Sequence, residues 1–315
     1  MEYRSLGGSG LRVSVVGLGT WQFSESWGVT RYEDAKAIVA RAVELGVNLF
    51  DTAAVYGRGM SERFLGRAIR ELGVRDQVVV ATKIHDEFLA GHDVLKAVRA
   101  ALGRLGLDVI DLIQVHWPPV WHNFPTCEYM RELERAVHLG MARHIGVSNF
   151  PVELLESARS CLAREEIVSM QIRYSAVERD AEKQLIPYAE RMGMAVLAWS
   201  PLAKGALTGK YTPENLPRFQ DVRAQDPLFH PENFAQVYRV VEVLKRVGER
   251  HGKTPAQVAL NWLIMVSPVV IPIPGAKTPG QVEDNTGAAG WRMGIDEWLE
   301  IERVSRGVRV TRVLW

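Results

Sequence analysis

Short apolar runs of β-strand composition alternate eight times with longer amphipathic stretches, and this alternation constrains the fold more than any other feature of the chain. The longer stretches carry apolar residues at helical spacing, such as Ala35, Ile38 and Ala42 in the first of them. Eight strand–helix alternations in 315 residues predict an α/β protein with a (β/α)8 TIM barrel, and we expect residues 1–315 to form a single barrel domain. The predicted barrel strands cover residues 15–19, 47–51, 78–82, 110–115, 144–147, 168–172, 195–199 and 269–273.

A terminal hairpin and two long loops are predicted around these strands. Residues 3–13 contain a Gly-rich turn between two short β-rich runs, which indicates an N-terminal β-hairpin. The intervals after the fourth and seventh strands, residues 117–125 and 200–231, are long, and loops after barrel strands build the active-site face. We therefore expect both to cover a ligand. A doubly wound sheet is the alternative, but the first strand–helix turn, residues 17–21, lacks the G-x-G-x-x-G fingerprint.

Charge and hydropathy exclude several classes of protein. The 38 basic and 37 acidic residues give a formal net charge of +1, which offers no electrostatic reason to expect a nucleic-acid or membrane partner. The N-terminus lacks the apolar core of a signal peptide, and the most hydrophobic window, residues 258–274, contains three prolines and fails as a membrane span. Two cysteines are too few for a disulfide framework, and the sequence has no H-x-H or Cys/His cluster that would indicate a metal-dependent hydrolase. We expect a cytoplasmic protein without a metal, with a monomer as the default state.

Ionisable side chains stand at consecutive strand ends. Asp51 ends the second predicted strand, Tyr56 lies in the loop after it, and Lys83 and His116 follow the third and fourth strands. Each has a structural explanation when taken alone, since a strand-end aspartate often caps the next helix and a tyrosine usually packs. The carboxyl ends of barrel strands meet at one mouth, however, so these four side chains are expected to converge there. Their joint occurrence favours a catalytic site.

Three sequence blocks carry a family resemblance. They are GVNLFDTAAVYG at 46–57, DLIQVHWP at 111–118 and IGVSNF at 145–150. In this order they resemble the aldo-keto reductase superfamily, and the similarity runs from Gly17 to Asn285. The segments SPL at 200–202 and LTGKY at 207–211 are similar in particular to the branch that holds prokaryotic open-chain carbonyl reductases and potassium-channel β subunits.

The resemblance implies reduction of an aldehyde or ketone to an alcohol, reversibly, by direct hydride transfer from a nicotinamide. Tyr56 would then be the proton donor, with Lys83 lowering its pKa, Asp51 pairing with Lys83, and His116 orienting the carbonyl. These residue types suit the chemistry. A tyrosine holds its proton at neutral pH but gives it up reluctantly, and a nearby ammonium favours the phenolate.

The same resemblance implies the cofactor-binding residues. Ser148, Asn149 and Gln171 correspond to family residues that bind the nicotinamide amide, and Trp199 to an aromatic that stacks on the ring. The segment after the seventh strand corresponds to a strap over the pyrophosphate. The full set is Thr20, Trp21, Asp51, Ser148, Asn149, Gln171, Trp199, Ser200, Pro201, Leu202, Lys204, Lys210, Arg223, Gly275, Lys277, Gln281, Asp284 and Asn285.

The choice between NADP(H) and NAD(H) depends on the segment after the eighth strand. Family members that prefer NADP(H) often carry a lysine at the position of Gly275 and an arginine at that of Gln281, and this sequence departs from both. The channel-subunit branch also has glutamine there and binds NADP(H), and Lys277 offers a cation for a 2′-phosphate. We therefore favour NADP(H), with NAD(H) as the alternative.

A small-molecule carbonyl compound is the expected partner. Family pocket positions hold Trp21 and Trp117, and Trp27 adds to the aromatic surface beside Tyr56 and His116. Aromatic walls favour apolar or planar carbonyl compounds, and a sugar stacks on tryptophan as well. A second interpretation is an NADP(H)-binding, redox-sensing regulatory subunit with slow turnover, as the channel-subunit resemblance allows.

Overall fold

The computed structural model describes residues 1–310, and it begins with the predicted hairpin. Strands β1 (Tyr3–Ser5) and β2 (Arg12–Ser14) pair antiparallel. The turn between them lies against the barrel: a Cβ on Gly7, whose φ is +54°, would come within 2.1 Å of the carbonyl oxygen of Val168. Leu6 and Val13 are fully buried in the same interior cluster as Leu49 and Ile271. The hairpin therefore packs against the interior of the strand array.

Eight parallel strands form the central sheet, and their spatial order follows the chain. Backbone hydrogen bonds from Gly17 N to Pro272 O (2.9 Å) and from Gly19 N to Pro274 O (3.0 Å) join the first of these strands to the last, as closure of a barrel requires. The prediction of eight parallel strands is confirmed. The strands are β3 (Leu18–Gly19), β4 (Leu49–Asp51), β5 (Val79–Ile84), β6 (Ile110–Val115), β7 (Ala142–Ser148), β8 (Ile167–Arg173), β9 (Ala195–Trp199) and β10 (Val270–Pro272).

Helices lie outside the strands. The start of α8 shows how the sequence sets such a boundary: the Thr254 hydroxyl accepts a hydrogen bond from Gln257 N, the Gln257 side chain accepts one from Thr254 N, and Pro255 takes the first helical position. The helices are α1 (Tyr32–Glu44), α2 (Met60–Leu72), α3 (Gly91–Leu105), α4 (Thr126–His138), α5 (Val152–Ser160), α6 (Leu185–Met192), α7 (Pro231–His251), α8 (Pro255–Val266), α9 (Pro279–Thr286) and α10 (Ile295–Arg306).

The strands separate two apolar cores and carry polar residues to one end. On β6, Ile113 belongs to the core between strands and helices, whereas Leu112 belongs to the cluster inside the strand array. Successive strand residues point to opposite faces, so Gln114 and His116 share the inner face with Leu112. The inner face is thus apolar near the hairpin and polar toward the carboxyl ends of the strands.

Two connections at the carboxyl ends of the strands are long. Residues 116–125 join β6 to α4, and residues 200–230 join β9 to α7 through short 3-10 turns at Ala203–Thr208 and Pro227–Phe229. Cys127 and Cys161 form one disulfide, with their Cα atoms 4.9 Å apart, and the cysteine count alone did not indicate this pairing. Among residues 1–310, no helix has the length and apolarity that crossing a membrane requires.

Candidate active site

A cavity of about 610 Å³ opens at the carboxyl ends of the strands. It takes lining residues from the segments after β3, β4, β6, β7, β9 and β10. Every residue predicted above for the cofactor or the substrate lines it, including Trp27, Tyr56, His116 and Trp117. Lys83 lies beneath the floor and is almost completely buried. The sequence blocks therefore meet in one place.

Asp51, Lys83 and Tyr56 form a hydrogen-bonded chain on the cavity floor, in which Asp51 and Lys83 are buried and Tyr56 is half-buried. Lys83 Nζ donates to Asp51 Oδ1 at 2.5 Å and to the Thr52 carbonyl oxygen at 2.9 Å. It lies 3.4 Å from the Tyr56 hydroxyl, at the long limit of a hydrogen bond. Asp51 ends β4 and Lys83 lies on the adjacent β5, so the parallel pairing of these strands brings the two side chains together.

Burial and charge act against each other in this chain. Burial alone lowers the pKa of Lys83, but the charges of Asp51 and Tyr56 outweigh it and raise that pKa above its ordinary value. Burial raises the pKa of Tyr56 above its ordinary value, and the Lys83 charge opposes this increase only in part. Lys83 thus acts on the Tyr56 pKa in the expected direction and lowers it, but the loss of hydration outweighs the ammonium.

His116 stands beside Tyr56, with ring centroids 5.7 Å apart in an edge-to-face arrangement. Burial, followed by the nearby charges of Lys83 and His85, holds the pKa of His116 well below its ordinary value of 6.5. The imidazole is therefore neutral at neutral pH and carries one N–H. Its buried Nδ1 has no hydrogen-bond partner among residues 1–310. A neutral ring at this place can donate one hydrogen bond into the cavity.

Two glutamine amides complete the environment of Asp51. Nε2 of Gln171 donates to Asp51 Oδ2 at 2.9 Å, and Nε2 of Gln114 donates to the same oxygen at 3.2 Å. Gln114 is absent from the predicted site residues. The sequence does indicate this residue, because Gln114 is a polar residue on a strand two positions before His116. Alternate strand residues share a face, so Gln114 and His116 both lie on the inner face.

Asn149 connects the carboxyl ends of β6, β7 and β9 by hydrogen bonds. Its side-chain amide donates to the Ser148 hydroxyl at 2.9 Å and to the His116 carbonyl oxygen at 3.1 Å. The Trp199 indole N–H donates to Asn149 Oδ1 at 3.1 Å. Asn149 has a φ of +63°, a conformation that asparagine tolerates better than most residues. Ser148, Asn149 and Trp199 thus form one hydrogen-bonded edge of the cavity.

The segment after β9 has an unusual backbone conformation and contains an ion pair with little exposure to solvent. Ser200 and Lys204 both have positive φ, at +51° and +53°. Lys204 Nζ lies 2.6 Å from Asp226 Oδ2, and Arg173 donates to the same oxygen at 2.9 Å. Lys204 was predicted to meet a phosphate; it lines the cavity, but its ammonium is engaged by Asp226, which the sequence analysis did not single out.

Trp27 lies close to two cations that line the cavity. Lys277 Nζ is 5.0 Å and the Arg223 guanidinium 5.4 Å from its ring centroid. Trp27 also contacts Trp21 edge to face, with ring centroids 5.4 Å apart. Burial, with the charges of Arg223 and Lys210, lowers the pKa of Lys277. Trp27 therefore adjoins both the predicted substrate residue Trp21 and the cationic end of the cavity.

Gly275 is packed against a residue that the sequence analysis missed. A Cβ at this position would lie 1.8 Å from Oε1 of Gln22, which also lines the cavity. Farther along the segment, Gln281 Oε1 accepts a hydrogen bond from Lys277 N at 2.8 Å, and Asn285 donates to the Gly275 carbonyl oxygen at 3.2 Å. Gln22 thus occupies the space that a side chain at 275 would need.

Comparison with known proteins identifies the family. Residues 15–306 match the aldo/keto reductase family. The chain belongs to this family. Aldo-keto reductase YhdN of Bacillus subtilis is 35% identical, and the alignment covers 96% of this chain and 93% of that protein. A protein of Oryza sativa named for the voltage-gated potassium channel subunit beta is 32% identical over 90% of each chain. These relatives confirm the resemblance and the branch inferred from the sequence motifs.

Solved structures match over nearly the whole chain. The glycerol dehydrogenase AKR11B4 from Gluconobacter oxydans has a TM-score of 0.88 at 30% identity and covers 99% of this chain and 97% of its own. An aldo-keto reductase from Klebsiella pneumoniae, solved in complex with NADPH, has a TM-score of 0.80 at 26% identity and covers both chains completely. The predicted fold class agrees with these neighbours.

Proposed function

We propose that this protein is an NADP(H)-dependent oxidoreductase that reduces aldehydes or ketones to alcohols. The observation that carries the proposal is the hydrogen-bonded chain of Asp51, Lys83 and Tyr56 beside a neutral His116 on the floor of a large cavity. A phenol, an ammonium and an imidazole N–H at one point suit protonation of a carbonyl oxygen during hydride transfer. Family membership and the NADPH complex of the Klebsiella pneumoniae relative support this assignment.

The cavity residues fit a nicotinamide dinucleotide. Lys210, Arg223 and Lys277 supply cations at the outer part of the cavity, where phosphate groups require charge. Amide and hydroxyl groups of Ser148, Asn149 and Gln171 lie near the floor, where a carboxamide requires donors and acceptors. When bound, the cofactor would supply a hydride to the carbonyl carbon. NADP(H) is favoured over NAD(H) because Lys277 offers a cation that a 2′-phosphate would use.

The side chains on the floor would carry the proton chemistry. Tyr56 donates its phenolic proton to the carbonyl oxygen, so one hydride and one proton convert C=O into CH–OH. The phenolate left on Tyr56 is stabilised by the Lys83 ammonium, which Asp51 holds in place. Neutral His116 donates its N–H to the same oxygen and stabilises negative charge as it develops there. The four residues thus divide proton donation, charge stabilisation and orientation among them.

Apolar, planar and uncharged carbonyl compounds are the substrate class that fits the walls. The Trp21 and Tyr56 rings stack with centroids 6.0 Å apart, and Trp117 and Val55 complete this side of the cavity. Trp117 is 47% exposed and extends the apolar wall to the rim. Flat apolar walls around a small number of polar groups favour a planar ligand whose carbonyl points to the floor.

The test is NADPH oxidation with an activated aromatic aldehyde, followed by absorbance, for wild type and Tyr56→Phe. General-acid catalysis contributes about 10²- to 10⁴-fold, so we expect a loss of that order in kcat with unchanged quenching of NADPH fluorescence on binding. Tyr32→Phe is the control, because the hydroxyl of Tyr32 binds Glu71 on the surface.

Each other result has a defined meaning. Turnover retained in Tyr56→Phe removes Tyr56 as the acid. Wild type that binds NADPH but reduces none of a panel of aldehydes and ketones favours the redox-sensing regulatory subunit, the alternative that the Oryza sativa relative keeps open. Absence of NADPH binding overturns the proposal as a whole.

A further inference from the structure

We propose that Gln114 is a positioning residue for this reaction: its amide fixes Asp51, and through Asp51 it keeps Lys83 beside Tyr56. The inference rests on the proposed function and goes beyond the four residues that the sequence motifs identify. A buried carboxylate requires hydrogen-bond donors from the protein. The Asp51 side chain is 3% exposed and that of Lys83 is 0% exposed, so protein groups have to replace water around both.

The two carboxylate oxygens of Asp51 have different partners. Oδ1 accepts from the Lys83 ammonium, whereas Oδ2 accepts from the amides of Gln114 and Gln171. A buried charged oxygen that loses one of its hydrogen-bond donors carries a free-energy cost of desolvation. Without the Gln114 amide, we expect the carboxylate to compete more strongly for Lys83. Lys83 already lies 3.4 Å from the Tyr56 hydroxyl, so a small displacement toward Asp51 breaks that contact.

The neighbouring strands leave space for the Gln114 side chain. Gly146 on the adjacent β7 leaves the room, because a Cβ there would lie 3.0 Å from Gln114 Cγ. The amide is also oriented: Gln171 Nε2 lies 3.4 Å from Gln114 Oε1. This contact directs the Gln114 oxygen away from the Asp51 carboxylate and the NH₂ group toward it. The strand register, Gly146 and the Gln171 amide thus together orient the Gln114 amide as a hydrogen-bond donor to Asp51.

Gln114 differs from Gln171 in its access to ligands. Gln171 lines the cavity and is a predicted nicotinamide contact, so its removal would change binding and chemistry together. Gln114 is 0% exposed and acts from below the floor. Its substitution is therefore expected to affect the proton chemistry without changing cofactor affinity.

The experiment compares Gln114→Met, which keeps the shape and removes the donor, with Ser169→Ala. Ser169 is an equally buried inner residue of β8, and its hydroxyl has no hydrogen-bond partner among residues 1–310. For Gln114→Met we expect kcat to fall about tenfold, the effect of one hydrogen bond to a charged group, with the Kd for NADPH and the KM for the aldehyde unchanged. Ser169→Ala should retain wild-type kcat.

Two further measurements separate positioning from packing. Alcohol oxidation requires unprotonated Tyr56, so its rate should rise with pH. In Gln114→Met this rise should occur at higher pH, because Lys83 stabilises the phenolate less. A loss of packing alone would not change the pH at which the rate rises. A double-mutant cycle with Asp51→Asn, measured by thermal unfolding, should show that the two substitutions are not additive.

The outcomes distinguish this proposal from the proposed function. Non-additive unfolding with unchanged kcat and pH dependence would mean that Gln114 stabilises the fold but does not position the site. If the two substitutions lower the unfolding temperature additively, the Gln114–Asp51 contact contributes neither to stability nor to positioning. If wild type reduces no carbonyl compound, the proposed function fails first and the positioning role fails with it, while non-additive unfolding would still identify the contact.

Discussion

Protonation on the cavity floor is decided by burial as much as by neighbouring charges. Tyr56 and His116 lie side by side, yet burial raises the pKa of one above 10.0 and lowers the pKa of the other well below 6.5. Both shifts favour the neutral form of the side chain, which is the general effect of a site poorly accessible to water. The proposed acid therefore keeps its proton, and the proposed orienting residue keeps a single N–H, across the whole neutral range.

A flat pH profile for carbonyl reduction follows. Reduction requires protonated Tyr56 and neutral His116, so kcat/KM should be constant between about pH 7 and pH 9 and should fall only on the basic side, as Tyr56 loses its proton. Initial rates with saturating NADPH across this range test it. His116→Gln keeps an N–H donor without a titrating ring and should give a slower but equally flat profile. An inflection inside this range that disappears in His116→Gln would mean that His116 titrates near neutrality.

The long segment after β9 is joined to the rest of the protein by ion pairs. Asp226 lies near the end of this segment and receives Lys204 from its beginning and Arg173 from the end of β8. Burial alone raises the pKa of Asp226, but the charges of Arg173 and Lys204 outweigh it and hold that pKa below 3.8. A folded-state pKa below the unfolded one gives stability above the unfolded pKa, lost as pH falls through the folded value.

Asp226→Asn should therefore destabilise the protein at neutral pH and speed the release of NADPH. Removing one partner of a buried pair costs about 3 kcal/mol, and the difference from wild type should shrink as the pH falls below 4. Denaturant unfolding and stopped-flow fluorescence measure the two effects. Asp221→Asn is the control within the same segment, because the Asp221 side chain is 25% exposed and its pair with Arg223 is worth less. Equal effects of the two substitutions would contradict a special role for Asp226.

The loops after β3 and β10 share the space beside Gly275. A lysine at this position, as in many NADP(H)-preferring members of the family, requires the Gln22 amide to move. We expect Gly275→Lys to lower the unfolding temperature and Gln22→Ala/Gly275→Lys to recover it. In the double variant, the ratio of NADPH to NADH affinity should rise about tenfold, the effect of one charge-assisted contact to a phosphate. Fluorescence titration with each cofactor measures it, and an unchanged ratio would remove position 275 from cofactor discrimination.

Strands and strand ends were the features of this molecule that could be predicted from its sequence. Eight strands, the hairpin and the convergence of Asp51, Tyr56, Lys83 and His116 follow from local periodicity and from the fact that parallel strands end together. Strand limits differ by a few residues: β7, the fifth predicted barrel strand, begins at Ala142 and not at 144, because exposed Arg143 interrupts the apolar run.

Side-chain pairings beyond the strand ends were not predictable from the sequence. Gln114 and Asp51 are 63 positions apart, and Asp226 reaches Lys204 across an irregular loop, so no periodicity records these contacts. Properties of the whole molecule also remain predictions: a single domain over residues 1–315, a monomer, and a cytoplasmic location.

The disulfide bears on that predicted location, because disulfides are rare in a reducing cytoplasm. Cys127 lies in the first turn of α4 and Cys161 follows the end of α5, 34 positions later. These helices follow β6 and β7, whose ends carry His116 and Ser148. A bond that closes a loop of this length contributes about 3–4 kcal/mol to the free energy of unfolding, chiefly by restricting the unfolded chain.

We expect a reducing agent to lower the stability of wild type by that amount and to leave kcat unchanged, because neither cysteine lines the cavity. The variant Cys127→Ser/Cys161→Ser should unfold like the reduced protein and be insensitive to reductant. Alkylation in intact cells before lysis, read by mass spectrometry, then connects stability to location: a bonded pair argues against a reducing cytoplasm, since thiols are kept reduced there. Two alkylated thiols in cells, with a bond that forms only after lysis, would keep the cytoplasmic prediction and make the disulfide a product of oxidation outside the cell.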